Sequence, residues 1–515
     1  MSDRKRPSLS HVDGPSGVGS CPARNAGTAL EVYVQPLADT PIARYGIEAL
    51  LRVMGVRAKW CEDPTPAIYY GSDPQIGRRA AVWVYPKGDS EGESGAWTLS
   101  EIDGVPVVSN GKKPARLWDG RRLEFDVFRA TAFWLTLGGE RSVGTRDAHG
   151  RVPSSASLAA SDIMAKRPPV HAYAELLQTG LERTIGRLAT GSRWPNDRRY
   201  AVAFTHDVDS PERRSRIPGL MRDLVLGAKR TRRESYWTLR TEVKSQGLRE
   251  TCFARPTKRR AWDFEKICAQ ERNRGLRSAF YFAVVRRSEG HACDVVYDAD
   301  RRRFRRLFGE LDAAGWEVGL QASYSAGSAP RRIVSQLDRL TKLARRPASG
   351  VRHHYLRLDP AEPLQTLAAH AEAGLAYDTT IGFNDIPGFR AGIALPFRPF
   401  GDAKDSGSFL ELPMTIADMH LPRQDETAAV DSVIAHLETV RSIGGLAVLN
   451  WHAGHWYSDP AWRAAYLAAC DFVSSDAAAW SALPREICRW WLSTGDQTRG
   501  PGDCAAATTV PSSTS

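Results

Sequence analysis

No apolar run in this chain approaches the roughly 20 residues that a membrane-spanning helix needs, which argues against a helical membrane protein. The opening residues, MSDRKRPSLSHVDGPSGVGS, carry positive charge but lack the apolar region of a secretory signal, so the chain is expected to be cytoplasmic. None of the eight cysteines (Cys21, Cys61, Cys252, Cys268, Cys293, Cys470, Cys488, Cys504) falls in a C-x-x-C pair. That absence disfavours both a disulfide framework and a zinc cage and leaves free thiols in a reducing compartment. The excess of 70 Lys+Arg over 59 Asp+Glu gives a charge of +11, concentrated in Arg213–Arg260 and Arg301–Arg306. No nucleic-acid fold signature accompanies the charge, so it reads as solvated helix faces and no nucleic-acid partner is expected. Histidine is also scarce, at 12 residues.

What is present is a globular composition, 42% hydrophobic and 25% charged, over a length that suggests two or more domains. Residues 1–28 and 495–515 are rich in Gly, Ser, Thr, Ala and Pro and are expected to be disordered tails. Between them the polar stretch Gly191–Arg199 divides the chain into residues 29–196 and 197–494. In the first part EVYV and AVWVY read as strands. Ile47, Leu50, Leu51 and Met54 follow helical spacing, as do Phe125, Phe128, Ala132 and Leu135. Leu176, Leu177, Leu181, Ile185 and Leu188 mark a longer amphipathic helix. This part shows no cluster of ligands or nucleophiles and reads as an α+β accessory domain.

The second part alternates regularly. AVAFT (201–205), SAFYFAVV (278–285), WEVGL (316–320), VRHHYL (351–356), LAYDTT (375–380), FLELPMTI (409–416) and LAVLNW (446–451) are near-continuous apolar runs, as parallel strands covered on both faces should be. Between them lie helical stripes such as Phe304, Leu307, Phe308 and Leu311, closed by Gly315, and Ile333, Leu337 and Leu340. About seven strand–helix alternations predict a parallel α/β barrel or a doubly wound sheet. In either, the C-terminal ends of the strands form the active face.

Those ends carry the chemistry. The first strand runs into Thr205-His206-Asp207-Val208-Asp209, where alternation turns both aspartates to one side and His206 to the other. Two carboxylates at one strand end suit metal binding by one and base work by the other; a pair that merely caps the next helix is the structural alternative. Later ends supply Gln321, Ser323 and Tyr324; His353, His354 and Arg357; Asp378; Asp418 and His420; and His452 and His455. Five of the 12 histidines fall here, and convergence on successive strand ends favours a site over scattered structural residues. Tyr324, Tyr355, Trp451 and Trp456 offer aromatic faces suited to sugar rings, although such residues also serve as core.

Taken in order, THDVDSP, GWEVGLQASYS, GVRHHYLRLDP, GLAYDTTIGFNDIPGFRAGIALPF, LELPMTIADMHL and VLNWHAGH resemble bacterial polysaccharide deacetylase-like proteins of the NodB-homology superfamily, carbohydrate esterase family 4. FDVFRATAFWLTLGGER and RDAHGRVPSSASLAASDIMAKRPPVHAYAELL resemble the N-terminal accessory domain of one subgroup. The resemblance implies a distorted (β/α)7 barrel that hydrolyses acetyl groups on a glycan or glycolipid substrate with a divalent metal, commonly Zn2+. It makes Asp207 the general base, Asp209 a metal ligand and His452 the general acid. Arg357 resembles the arginine that orients the base, with Arg352 as the second match.

The family takes two metal histidines from an H-x-x-x-H segment. Here Gln321 stands where the subgroup has a histidine, and Ser325 holds the other position. An amide oxygen is a poor zinc ligand beside imidazole. A metal set of Asp209, His354 and Gln321 is therefore expected, with His206 or His455 as other candidates to complete a rearranged site. Tyr324, Tyr355, Asp378 and Trp451 are the expected substrate contacts. The leading reading is N-deacetylation of an amino sugar; the rival is a catalytically silent carbohydrate-binding protein with a degenerate metal site.

Overall fold

The computed structural model describes residues 28–86, 97–110, 113–209, 211, 264–401 and 409–496, apart from single positions 142, 163, 165, 166, 287, 296, 330 and 457. The expected tails lie outside these residues, except for Thr28 and for the last helix, which runs to Asp496. The basic stretch Arg213–Arg260 and Cys21, Cys252 and Cys504 lie outside them as well. No helix among the described residues is long and apolar enough to cross a membrane.

The first part of the chain builds a six-stranded sheet from β1 (Ala29–Val34), β2 (Arg57–Trp60), β3 (Ile68–Tyr70), β4 (Val82–Val84), β7 (Trp118–Asp119) and β8 (Arg122–Leu123), in the order β2-β1-β3-β4-β8-β7. A separate hairpin pairs β5 (Trp97–Ile102) with β6 (Val105–Asn110). Apart from the β7–β8 turn the sheet is parallel, so the expected α+β arrangement is corrected to a mainly parallel α/β one. Its cause is the β1–helix–β2 crossover. Helix α1 (Pro41–Val53) starts at Thr40, whose hydroxyl accepts the Ala43 N–H, and buries Ile47, Leu50 and Leu51. Gly46 lets it approach helix α2 (Val127–Leu135) closely, since a Cβ there would sit 2.1 Å from the Phe128 carbonyl oxygen. Helix α3 (Pro169–Ile185) follows.

The second part is a curled, wholly parallel sheet of nine strands. They are β9 (Tyr200–Val208), β10 (Ser278–Ala283), β11 (Glu317–Ala322), β12 (Gly350–His353), β13 (Tyr377–Asp378), β14 (Leu410–Glu411), β15 (Ile416–Ala417), β16 (Leu446–Asn450) and β17 (Ala479–Ser481). The order is β14-β13-β12-β11-β10-β9-β16-β15, with β17 also paired to β9. Every apolar run read as a strand contributes to this sheet. The run 409–416 is divided: Pro413 lacks the N–H that an uninterrupted ladder needs, and the halves pair with β13 and β16 at opposite ends of the sheet. One short stretch of chain therefore faces both edges.

Apart from β17, the strands are buried along almost their whole length because helices cover the outer face. Helix α4 is Phe264–Arg272, and helix α5 (Arg302–Ala313) buries the predicted stripe Phe304, Leu307, Phe308 and Leu311. Helix α6 (Arg332–Ala344) buries Ile333 and Leu340. Helix α8 (Glu426–Ser442), reached after α7 (Pro363–Glu372), packs beside α9 (Pro460–Ser475). The concave face holds polar side chains, which the register brings together: Gln321 lies opposite Arg352, and Asn450 opposite Thr205.

Candidate active site

Alternation along β9 turns Thr205 and Asp207 to the concave face, with Asp209 one residue beyond the strand. His206 points the other way. Its ring stacks on Phe280, its Nε2 lies 2.9 Å from Glu271 Oε1, and its Nδ1 lies 2.9 Å from the Trp451 carbonyl. It belongs to the layer between sheet and helices and completes no metal site.

Asp207 is nearly buried and each of its oxygens has a donor. Arg352 Nη1 is 3.1 Å from Oδ1, and Asn450 Nδ2 is 2.9 Å from Oδ2. Arg352 is fully buried and is fixed in turn by the Thr205 hydroxyl and by the carbonyl and hydroxyl oxygens of Thr379. The arginine that meets the Asp207 carboxylate is therefore Arg352, and the expectation for Arg357 is corrected. Tyr355 and Leu356 have φ of +62° and +51°, which swings the chain away from the strand direction. Arg357 consequently donates to the His149 and Tyr324 carbonyl oxygens, both at 3.0 Å.

Asp209 stands among the expected metal residues. Gln321 Nε2 donates to its Oδ1 at 2.7 Å, while Oδ2 lies 3.9 Å from His354 Nε2 and 3.6 Å from His452 Nε2. Gln321 Oε1 and His354 Nδ1 are buried and have no hydrogen-bond partner. One carboxylate, one imidazole and an orphaned amide oxygen fit an oxygen-rich divalent site. This is weaker than the usual zinc set, because the amide is already engaged with the carboxylate.

His452 is positioned from behind. Its Nδ1 is 2.8 Å from Asp418 Oδ1 and its backbone N–H donates to Asp418 Oδ2 at 2.8 Å. His455 Nδ1 meets the same Oδ2 at 2.9 Å. Burial by itself would lower the His452 pKa, but the Asp418 carboxylate outweighs it, helped by Asp209 and Asp207, and pushes the imidazole up to about 10. Burial likewise opposes the charge on Asp418, yet the two imidazoles hold its carboxyl well below the usual carboxylate range. Among the described residues, only Asp418, His452 and His455 bring three ligand atoms within 4.8 Å of one another. With both Nδ1 atoms on Asp418, the group reads as a carboxylate orienting two rings.

The aromatic and acidic expectations divide. Tyr324 and Tyr355 are half-buried, nearly perpendicular and 5.6 Å apart, with the His354 ring 4.5 Å from Tyr355. Trp451 is corrected: it is buried and its indole N–H donates to the Trp462 carbonyl. Asp378 is corrected too, because it is fully buried, 2.8 Å from His370 Nδ1, and accepts the Thr380 N–H. His353, against His370 at 2.8 Å, joins that same interior network. Sequence reasoning missed Asn450, whose signal is its place two residues before His452 on an extended chain, and gave Asp418 no role.

Residues 43–185 match a family of unknown function, DUF7033. No curated relative matches the chain. Among solved structures, similarity extends to a protein designated a polysaccharide deacetylase from Mycobacterium smegmatis, at 19% identity and TM-score 0.37, covering 62% of this chain and 96% of that one. A second, designated a polysaccharide deacetylase from Pseudomonas aeruginosa PAO1, is 16% identical with a TM-score of 0.36, covering 59% and 95%. Puue allantoinase is 16% identical with a TM-score of 0.38, covering 60% and 95%.

Proposed function

We propose that the chain is a hydrolase that removes an acetyl group from the amide nitrogen of an amino-sugar glycan or glycolipid precursor. One observation carries the reading. A ring held by Asp418 through Nδ1 turns Nε2 to within 3.6 Å of Asp209, at the strand end that also bears Asp207. Its raised pKa makes His452 an imidazolium at neutral pH, with a proton to give. Asp207, oriented by Arg352 and Asn450, has a carboxylate to receive one.

In this reading Asp207 takes a proton from the attacking water as its oxygen bonds to the acyl carbon. His452 gives its Nε2 proton to the departing nitrogen as the carbon–nitrogen bond breaks, leaving acetate and a free amine. Asp418 keeps the ring oriented and stabilises its charge. A divalent ion held by Asp209 and His354, with Gln321 alongside, would polarise the acyl oxygen and acidify the water. The choice of sugar rests on the motif resemblance and on the aromatic faces of Tyr324 and Tyr355.

The test is acetate release from N-acetylated sugar precursors with zinc, cobalt, manganese or chelator added. Release that disappears in Asp207→Asn is expected, and release that survives that substitution unchanged removes Asp207 from the mechanism. The hydrogen bond from Gln321 to Asp209 favours a second reading, a glycan-binding protein without turnover. Metal-free protein that binds N-acetylglucosamine oligomers but releases no acetate would establish it.

A further inference from the structure

Side chains from 140–152 in the first part of the chain and from 356–363 in the second, together with Arg390, line a cleft of about 370 Å³. Asp207, Asp209 and His452 take no part in it. We propose that this cleft binds a phosphoryl group carried on an apolar body, with Arg141 and Arg146 as the cations that hold its oxygens. The inference goes beyond the hydrolase reading and does not depend on it.

A tight turn brings the two walls together. Asp147 Oδ1 accepts the backbone N–H groups of His149 at 2.8 Å and Arg151 at 2.9 Å, and Gly150 between them has a φ of +78°. A Cβ on Gly150 would meet Pro360 Cγ at 3.0 Å, so glycine serves both the left-handed backbone and the close approach. Val152, Leu356 and Leu358 are buried and give the cleft an apolar side. The other side is cationic. Arg141, Arg146, Arg151 and Arg390 face the cleft against only two carboxylates, those of Glu140 and Asp359.

Structural work accounts for two of the four arginines. Arg390 is buried and bidentate on Glu140, with both contacts at 2.7 Å. Arg151 is paired with Asp147 and donates to the Tyr355 carbonyl at 2.7 Å. Those charges are matched, and the other two are not. Arg146 donates to the carbonyl oxygens of Glu140, Val143 and Thr145, which carry no formal charge and use three of its five N–H groups. Arg141 is exposed and has neither an ion pair nor a hydrogen bond among the described residues. The carboxylate that remains, Asp359, already accepts the Ala361 and Glu362 N–H groups at 2.9 and 3.0 Å, ahead of helix α7. Two cations thus share one engaged carboxylate, and a dianion would redress the balance. Guanidinium groups presented from separate points of the chain suit tetrahedral oxygens, whereas a single planar fork already satisfies a carboxylate. The apolar side then calls for a phosphate ester with an apolar body, because bare phosphate would leave Val152, Leu356 and Leu358 against water.

The experiment is titration calorimetry of full-length protein with hexyl phosphate, inorganic phosphate and hexanoate at constant ionic strength, alongside Arg141→Gln and Arg141→Lys. Hexyl phosphate is expected to bind saturably, about tenfold or more tighter than either inorganic phosphate or hexanoate. Arg141→Gln is expected to weaken it by about tenfold, the effect of losing one charge-assisted hydrogen bond, and Arg141→Lys to retain part of the affinity. Absence of saturable binding overturns the proposal, as does hexanoate binding as tightly as hexyl phosphate. Equal affinity in wild type and Arg141→Gln, at matched thermal unfolding, also overturns it and leaves an adventitious ion only. No turnover enters the titration, so a protein that releases no acetate answers the question equally well.

Discussion

Arg352 on β12 places its guanidinium 3.1 Å from the Asp207 carboxylate on β9, although β11 and β10 lie between those strands. In a flat sheet three strand spacings amount to about 14 Å, so the contact exists because the sheet curls and the two side chains meet across its concave face. It also leaves both charges out of water, where each depends on the other.

Replacing Arg352 by Met should therefore cost about 3–5 kcal/mol of stability, because Asp207 would be left as an unpaired buried charge. Pairing Arg352→Met with Asp207→Asn should recover much of that loss while leaving turnover absent. Urea unfolding of the two single variants and the double variant measures the coupling. Simple additivity would mean that the contact is energetically idle.

Asp418→Asn should leave the fold intact and lower acetate release by about three orders of magnitude, since an amide neither holds the imidazole in one tautomer nor stabilises its charge. The His452 pKa, now near 10 through Asp418, should fall in this variant, and the alkaline limb of the pH–rate profile should move to lower pH. An unmoved alkaline limb would dissociate it from His452.

Gln321→His would add an imidazole to that of His354, as a second nitrogen ligand beside Asp209. Zinc affinity is expected to rise by about tenfold or more, as an imidazole replaces an amide that now spends its N–H on the carboxylate. Titration calorimetry with zinc on full-length protein reads this directly. Unchanged affinity would place the metal elsewhere or remove it.

Acid should unfold the protein early. Burial pushes the pKa values of His171, His353 and His436 down to about 3, so the native state leaves these rings neutral where the unfolded chain protonates them. Because the folded values are depressed, the contribution to stability is full above the unfolded value near 6.5 and is lost progressively as pH falls towards 3. His436 has no partner for Nε2 and stacks on Phe389. His436→Phe should flatten the acid limb and add about 1 kcal/mol, followed by thermal unfolding between pH 4 and 8. A steeper acid limb in that variant would contradict the assignment.

The apolar strand runs and the helix stripe at Phe304, Leu307, Phe308 and Leu311 were legible because burial on a regular element imposes a repeat on neighbouring residues. The two-residue alternation also separated Asp207 and Asp209 from His206 without coordinates. The choice between Arg352 and Arg357 was not legible in that way. Both belong to one motif, Arg352 within β12 and Arg357 just beyond it, and two left-handed residues between them separate the one that faces Asp207 from the one that does not. Asp378 and Trp451 likewise sit at the end of their runs, yet burial takes each out of the cleft.

The sequence by itself determined the parallel α/β character of the second part, its strand positions and the set of residue types available for acid–base chemistry, because these depend on local periodicity and composition. Only the tertiary structure decided which of those residues face one another. Arg352 meets Asp207 and Gln321 bonds to Asp209 because the sheet curls and brings the ends of non-adjacent strands together, and His149 reaches Tyr324 from 175 positions away. Contacts of that range are set by chain topology and close packing, which leave no repeat in the sequence to read.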